Sequence, residues 1–124
     1  AVHALAYPLG GHFHLSHGHT NALVLVEVLK FNAPKAKQHY AELMQLLDPR
    51  STGCTDGLCD LFIDHMQNHL DQSGLTLKLK DLNVPEAKLA QLAKDAMLQT
   101  RLLQNNPREM TEQDALQIYQ AIYA

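Results

Sequence analysis

The stretch His3-Ala-Leu-Ala-Tyr7-Pro-Leu-Gly-Gly-His12-Phe-His14-Leu-Ser16-His17-Gly-His19-Thr-Asn-Ala22 holds five of the chain's eight histidines, with a Pro-Leu-Gly-Gly element between the first and the rest. His3 and Tyr7 stand at i and i+4, the spacing that shares one helix face, and the pattern predicts a first short helix over Val2 to Leu9. Pro8 distorts that helix near its end, and Gly10-Gly11 terminates it. On one straight helix His3 and His17 would share a face yet lie about 21 Å apart at 1.5 Å per residue, too far to hold one ion. The chain must therefore turn between them, and Pro8, Gly10 and Gly11 permit the reversal.

Beyond this stretch the pattern is helical, with short turn signals between segments, and the class is all-α. Gly18 to Phe31 alternates valines like a strand but is long enough for a helix, and its nearly all-round apolar surface places it inside the domain. Pro34 opens an amphipathic helix to Leu47 with Ala36, Tyr40, Leu43, Met44 and Leu47 on one face. Asp48 to Gly53 breaks it. A further helix runs from about Asp56 to Gln72, carries Cys59, Leu61, Phe62, Ile63, Met66 and Leu70, and stops at Ser73-Gly74. Leu75 to Leu82 reads as an extended connector. Val84-Pro85-Glu86 then opens a helix through Leu89, Leu92, Ala93, Ala96 and Met97, closed by Asn105-Asn106-Pro107. The last helix starts at a capping box, Thr111 with Asp114, and buries Ala115, Ile118, Tyr119 and Ile122.

The 124 residues, 46% of them hydrophobic, suit one compact domain spanning 1–124. A formal charge of −3 with interspersed signs excludes an electrostatic footprint for nucleic acid or an anionic membrane. The longest apolar run, Ala22 to Leu29, is interrupted by Glu27 and falls short of the roughly 20 residues a bilayer span needs. The N-terminal residues lack the basic start of a signal peptide, so a cytoplasmic protein is expected. Cys54 and Cys59 are too few for a disulfide framework and read as reduced thiols.

Imidazole is the commonest protein metal ligand, so the histidine cluster points to metal binding. His3 and His17 are the pair that a chain reversal would bring together. Two histidines make an incomplete site, because zinc takes about four ligands, and the others must come from elsewhere. Asp56, Asp60 and Asp64 fit a solvated helix face better than a ligand set. His12, His14 and His19 read as surface or cleft-lining residues. His39 is isolated, and His65 with His69 reads as a chance i,i+4 pair, without the glutamate of a zinc-protease motif.

The run from His3 to Ala22 closely resembles the signature of the iron-containing (group III) alcohol dehydrogenases: a histidine, an HPLGG-like element, PHG, then an Asn-Ala pair entering an apolar helix. The likeness continues through Phe31-Asn32, Tyr40-Ala41-Glu42-Leu43 and Asn106-Pro107-Arg108, and it covers essentially the whole chain. It implies the C-terminal helical domain of a dehydroquinate synthase-like fold. An N-terminal domain that binds NAD or NADP would supply an aspartate and another histidine. His3 and His17 would then hold Fe2+ or Zn2+, a small alcohol or aldehyde would be the substrate, and a homo-oligomer is compatible with it.

Tyr7 stands where many members have a second histidine, so its implied role narrows to a hydrogen bond with substrate or cofactor. Ser16 replaces the usual proline and can cap the helix that His17 enters. Phe13 and His12 fit walls of the substrate cleft. The alternative reading is a freestanding histidine-rich metal-binding module without catalysis. A third, a helical interaction domain with incidental histidines, predicts no ordered metal at His3 and His17.

Overall fold

The computed structural model describes residues 1–123, and among them the regular structure is six α-helices and two short 3-10 turns, with no strand. The first helix, α1, runs Val2–Phe13 and so passes through Gly10 and Gly11 rather than ending there. Each glycine costs a helix interior about 1 kcal/mol relative to alanine, but Leu5, Leu9 and Phe13 recur at i, i+4 and i+8 and hold this face on the core. Leu5 and Leu9 are fully buried. Termination falls instead to His14, in the left-handed region at φ 56°, ψ 31°, whose N–H donates to the Gly10 carbonyl at 3.0 Å.

Ser16 then caps α2, His17–Leu47, its Oγ accepting from the His19 N–H at 3.3 Å. The two helices expected on either side of Pro34 are one continuous element with a bend, expressed at Ala36 (φ −135°, ψ 15°). Pro34 cannot donate to the turn before it and crowds that turn, which is the usual origin of such a kink. In the same turn the Phe31 carbonyl accepts from Arg108 Nη1 at 2.8 Å, and the guanidinium carbon sits 4.2 Å from the centre of the Phe31 ring. Asn32 and Asn106 bond reciprocally, amide to amide, at 2.9 and 2.7 Å. These contacts clamp the C-terminal segment onto the bend.

Past the bend, α2 packs on α3, Thr55–Gln72, around Tyr40, Met44, Leu58, Cys59 and Phe62. Cys54 and Cys59 are unbonded thiols, and Cys54 Sγ accepts from Gly57 N–H at 3.3 Å to cap α3. Leu47 and Leu61, expected on buried faces, are 52% and 46% exposed, since each lies outside the strip where the two helices touch. Leu79–Leu82 is a 3-10 turn rather than extended chain, with Leu79 fully buried. The segment after Pro85 starts as a 3-10 turn, Glu86–Lys88, and becomes α4 at Leu89–Ala96; a short α5, Thr100–Gln104, follows it.

The last helix, α6, runs Glu112–Tyr123. Its capping box is formed: Thr111 N–H donates to Asp114 Oδ2 at 2.9 Å, and Asp114 N–H to Thr111 Oγ1 at 3.2 Å. Helices α1, α4, α6 and the first half of α2 enclose the larger core. There Tyr119, fully buried, donates its hydroxyl to the Leu5 carbonyl at 2.6 Å. Burial pushes its pKa up, which favours the neutral, donating hydroxyl. No described helix is long and apolar enough to cross a membrane.

Two stability outcomes follow from this architecture. Asn106→Ala leaves the buried Asn32 amide without its partner and should cost about 1–3 kcal/mol in urea unfolding. His14→Gly relieves a left-handed backbone and should gain about 1 kcal/mol by the same measurement.

Candidate metal half-site

The reversal at His14, Leu15 and Ser16 lays the start of α2 beside α1. It brings the His3 and His17 rings together, centre to centre at 5.3 Å and within 10° of parallel. The chain thus reverses as expected, with the turn at the end of Phe13 rather than at the glycine pair. Both histidines are exposed.

Two imidazoles on one tetrahedral ion, each nitrogen about 2.0–2.1 Å from it, hold their ring centres about 5 Å apart. The observed separation fits that requirement, and rotation about the soft χ2 torsions turns the near-parallel planes toward a common point. The donor set suits a borderline divalent ion such as iron or zinc. Among the described residues no group of three or more His, Cys, Asp or Glu side chains could hold a metal.

Asn21, one helical turn past His17, is a neighbour that histidine counting misses, although its i+4 spacing is legible. Its Nδ2 donates to His17 Nε2 at 3.2 Å, while its Oδ1 is buried with no hydrogen-bond partner. Rotating the amide by half a turn would reverse the roles and let Oδ1 accept from an Nε2–H. As oriented, the amide donates to Nε2, which leaves the proton of a neutral His17 ring on Nδ1. An unsatisfied buried oxygen beside an exposed imidazole marks this corner as polar and under-partnered.

Tyr7 is 65% exposed and lines a groove of about 210 Å³ with Pro8, Gly11, His12, Asp95 and Leu98. His12 and Phe13 border a second groove of about 220 Å³ with Lys88, Gln91 and Leu92. His12 has a further role: Nε2–H donates to Asp95 Oδ2 at 2.7 Å and ties α1 to α4. His19 Nε2–H donates to the Thr76 carbonyl at 2.6 Å and anchors the connector after α3. These partners lie 83 and 57 residues away, beyond any local pattern. His14 is exposed at the turn, and Asp56, Asp60 and Asp64 are exposed along α3, with Asp56 Oδ1 paired to Lys37 Nζ at 3.1 Å.

The fold defines a class, a helical domain in which a tight reversal between its first two helices brings two exposed histidine rings together. The comparisons name it. The chain matches the Fe-containing alcohol dehydrogenase family, C-terminal, over residues 1–123 and belongs to that family. It is 33% identical over 124 residues to long-chain-alcohol dehydrogenase 1 of Geobacillus thermodenitrificans, covering 99% of this chain and 31% of that protein. It is 36% identical over 113 residues to a 1-propanol dehydrogenase of Citrobacter freundii, covering 86% of this chain and 30% of that protein. Its fold is similar to a 1,3-propanediol oxidoreductase, with a TM-score of 0.92 at 28% identity, over 98% of this chain and 32% of that one. An alcohol dehydrogenase from Oenococcus oeni gives 0.87 at 27% identity over the same shares. The chain spans about a third of the length of the relatives it matches.

The hydrogen bond from His12, followed by that from Gln91, holds the Asp95 carboxyl below its ordinary value of 3.8. A depressed carboxylate stabilises fully above 3.8 and loses that contribution as the pH falls through its lower folded value. Urea midpoints of the parent should thus exceed those of Asp95→Asn at pH 6, with the gap closing below pH 3.8. A gap that persists unchanged at pH 2 would count against the His12–Asp95 tie.

Proposed function

We propose that this chain is the C-terminal portion of a metal-dependent, NAD- or NADP-dependent alcohol dehydrogenase of the cytoplasm, and that it supplies His3 and His17 as two of the metal's ligands. The observation that carries the reading is the pair of imidazoles 5.3 Å apart across the α1–α2 reversal, in a chain of this family. An N-terminal domain of the same protein completes the ligand set and binds the nicotinamide, and the chain alone is incompetent. The relatives' names speak of alcohols, and the substrate class proposed here is a small alcohol or its aldehyde.

A metal ion held there would supply Lewis acidity toward an alcohol oxygen, and a nicotinamide bound by the rest of the enzyme would supply the hydride acceptor. The chain's own residues do the rest. His3 and His17 would hold the ion, and Asn21 lies within hydrogen-bond distance of His17 Nε2, where it can orient the ring. Tyr7 offers a hydroxyl donor to a substrate oxygen or a cofactor hydroxyl. Phe13 and Leu92 give the groove at His12 two apolar walls against which a short aliphatic group could lie.

The test is substitution in the full-length protein. His3→Ala and His17→Ala should each lower metal content and reduce alcohol oxidation by roughly a hundredfold or more. Retention of both metal and activity in the two variants would sink the assignment. Tyr7→Phe should keep its metal and lose about tenfold in kcat/KM, the value of one hydrogen bond in the transition state.

A further inference from the structure

A second histidine pair lies on α3, away from the reversal. His65 and His69 stand at i and i+4, and their rings meet centre to centre at 5.4 Å with 28° between planes. That separation nearly equals the one between His3 and His17, and it meets the same requirement of about 5 Å for two imidazoles on one tetrahedral ion. His69 is exposed and His65 half-buried, so an ion can approach from solvent. Whereas His12, His17 and His19 spend ring nitrogens on Asp95, Asn21 and Thr76, neither ring of this pair bonds to another described residue.

The surroundings favour a cation. From Thr55 to Gln72 the helix carries Asp56, Asp60, Asp64 and Asp71 and no lysine or arginine. His69 lies in its last turn, where the exposed carbonyl ends of the backbone make the potential more negative. Imidazole ligands in such a field suit late first-row divalent ions, for which nitrogen affinity is greatest.

We propose that His65 and His69 form a second, solvent-facing metal site on α3, a two-imidazole chelate for a late first-row divalent cation such as Ni2+, Cu2+ or Zn2+. Two protein ligands close half of the coordination shell and water fills the rest, so the ion exchanges readily. The site is independent of the half-site at His3 and His17.

The probe is Ni2+, titrated calorimetrically into the full-length protein carrying His3→Ala and His17→Ala. A Ni2+ binding event should persist in that background, and either His65→Ala or His69→Ala should weaken it by roughly tenfold or more. His39→Ala, an exposed histidine on α2, should leave it unchanged. His69→Gln keeps a polar, helix-compatible side chain and must lose the ion equally, with helical circular dichroism unaltered. Ni2+ binding that survives both alanine substitutions at full strength would overturn the site.

Discussion

The reversal between Phe13 and His17 is the constraint on which the rest of the molecule depends. A left-handed His14 ends one helix and Ser16 begins the next, so only three residues separate them. Each residue of an α-helix advances the side chain by about 100°, so one residue more or less in the connection would carry the His17 ring away from His3. What holds the register is core packing: Leu5 and Leu9 of α1 share a buried cluster with Val24 and Val28 of α2. On α1 the His3 ring stands away from Leu5 and Leu9, whereas on α2 Val24 and Val28 follow His17 at i+7 and i+11 on one face, so packing of that face fixes the ring's register.

That packing is reinforced from the far end of the chain. Tyr119 on α6 reaches the carbonyl of Leu5, and Asn106 with Arg108 grips α2 just before its bend. The two helices that bear His3 and His17 are therefore both fixed by residues more than 70 positions away. Deep burial keeps the Tyr119 hydroxyl a neutral donor, so this tie does not vary with pH over any ordinary range. By contrast, the His12–Asp95 tie between α1 and α4 is solvated and responds to acid.

The legible part of this fold was whatever local spacing encodes. The capping box at Thr111 and Asp114, the break after Leu47 and the stop at Ser73-Gly74 follow from short-range patterns, whereas His3 and His17 meet through a turn at His14 to Ser16 and not at the glycine pair. Tertiary packing decided the remainder. Gly10-Gly11 reads as a helix end because glycine is a poor helix former, yet burial of Leu5 and Leu9 on either side of Pro8 carries α1 onward. Pro34 reads as a helix start, yet Arg108 and Asn106 brace the turn before it and the helix bends instead of breaking. The roles of His12 and His19 rest on partners that no window of sequence contains, and an i,i+4 spacing at His65 and His69 says nothing of whether the rings turn toward each other.

The central claim is that His3 and His17 are ligands to one ion. X-ray absorption at the metal edge of the full-length protein reads the ligand shell directly, independent of catalysis. The account predicts imidazole scattering with nitrogens at about 2.0–2.1 Å, reduced by one imidazole in His3→Ala and by one in His17→Ala. An unchanged imidazole shell in both variants would contradict it.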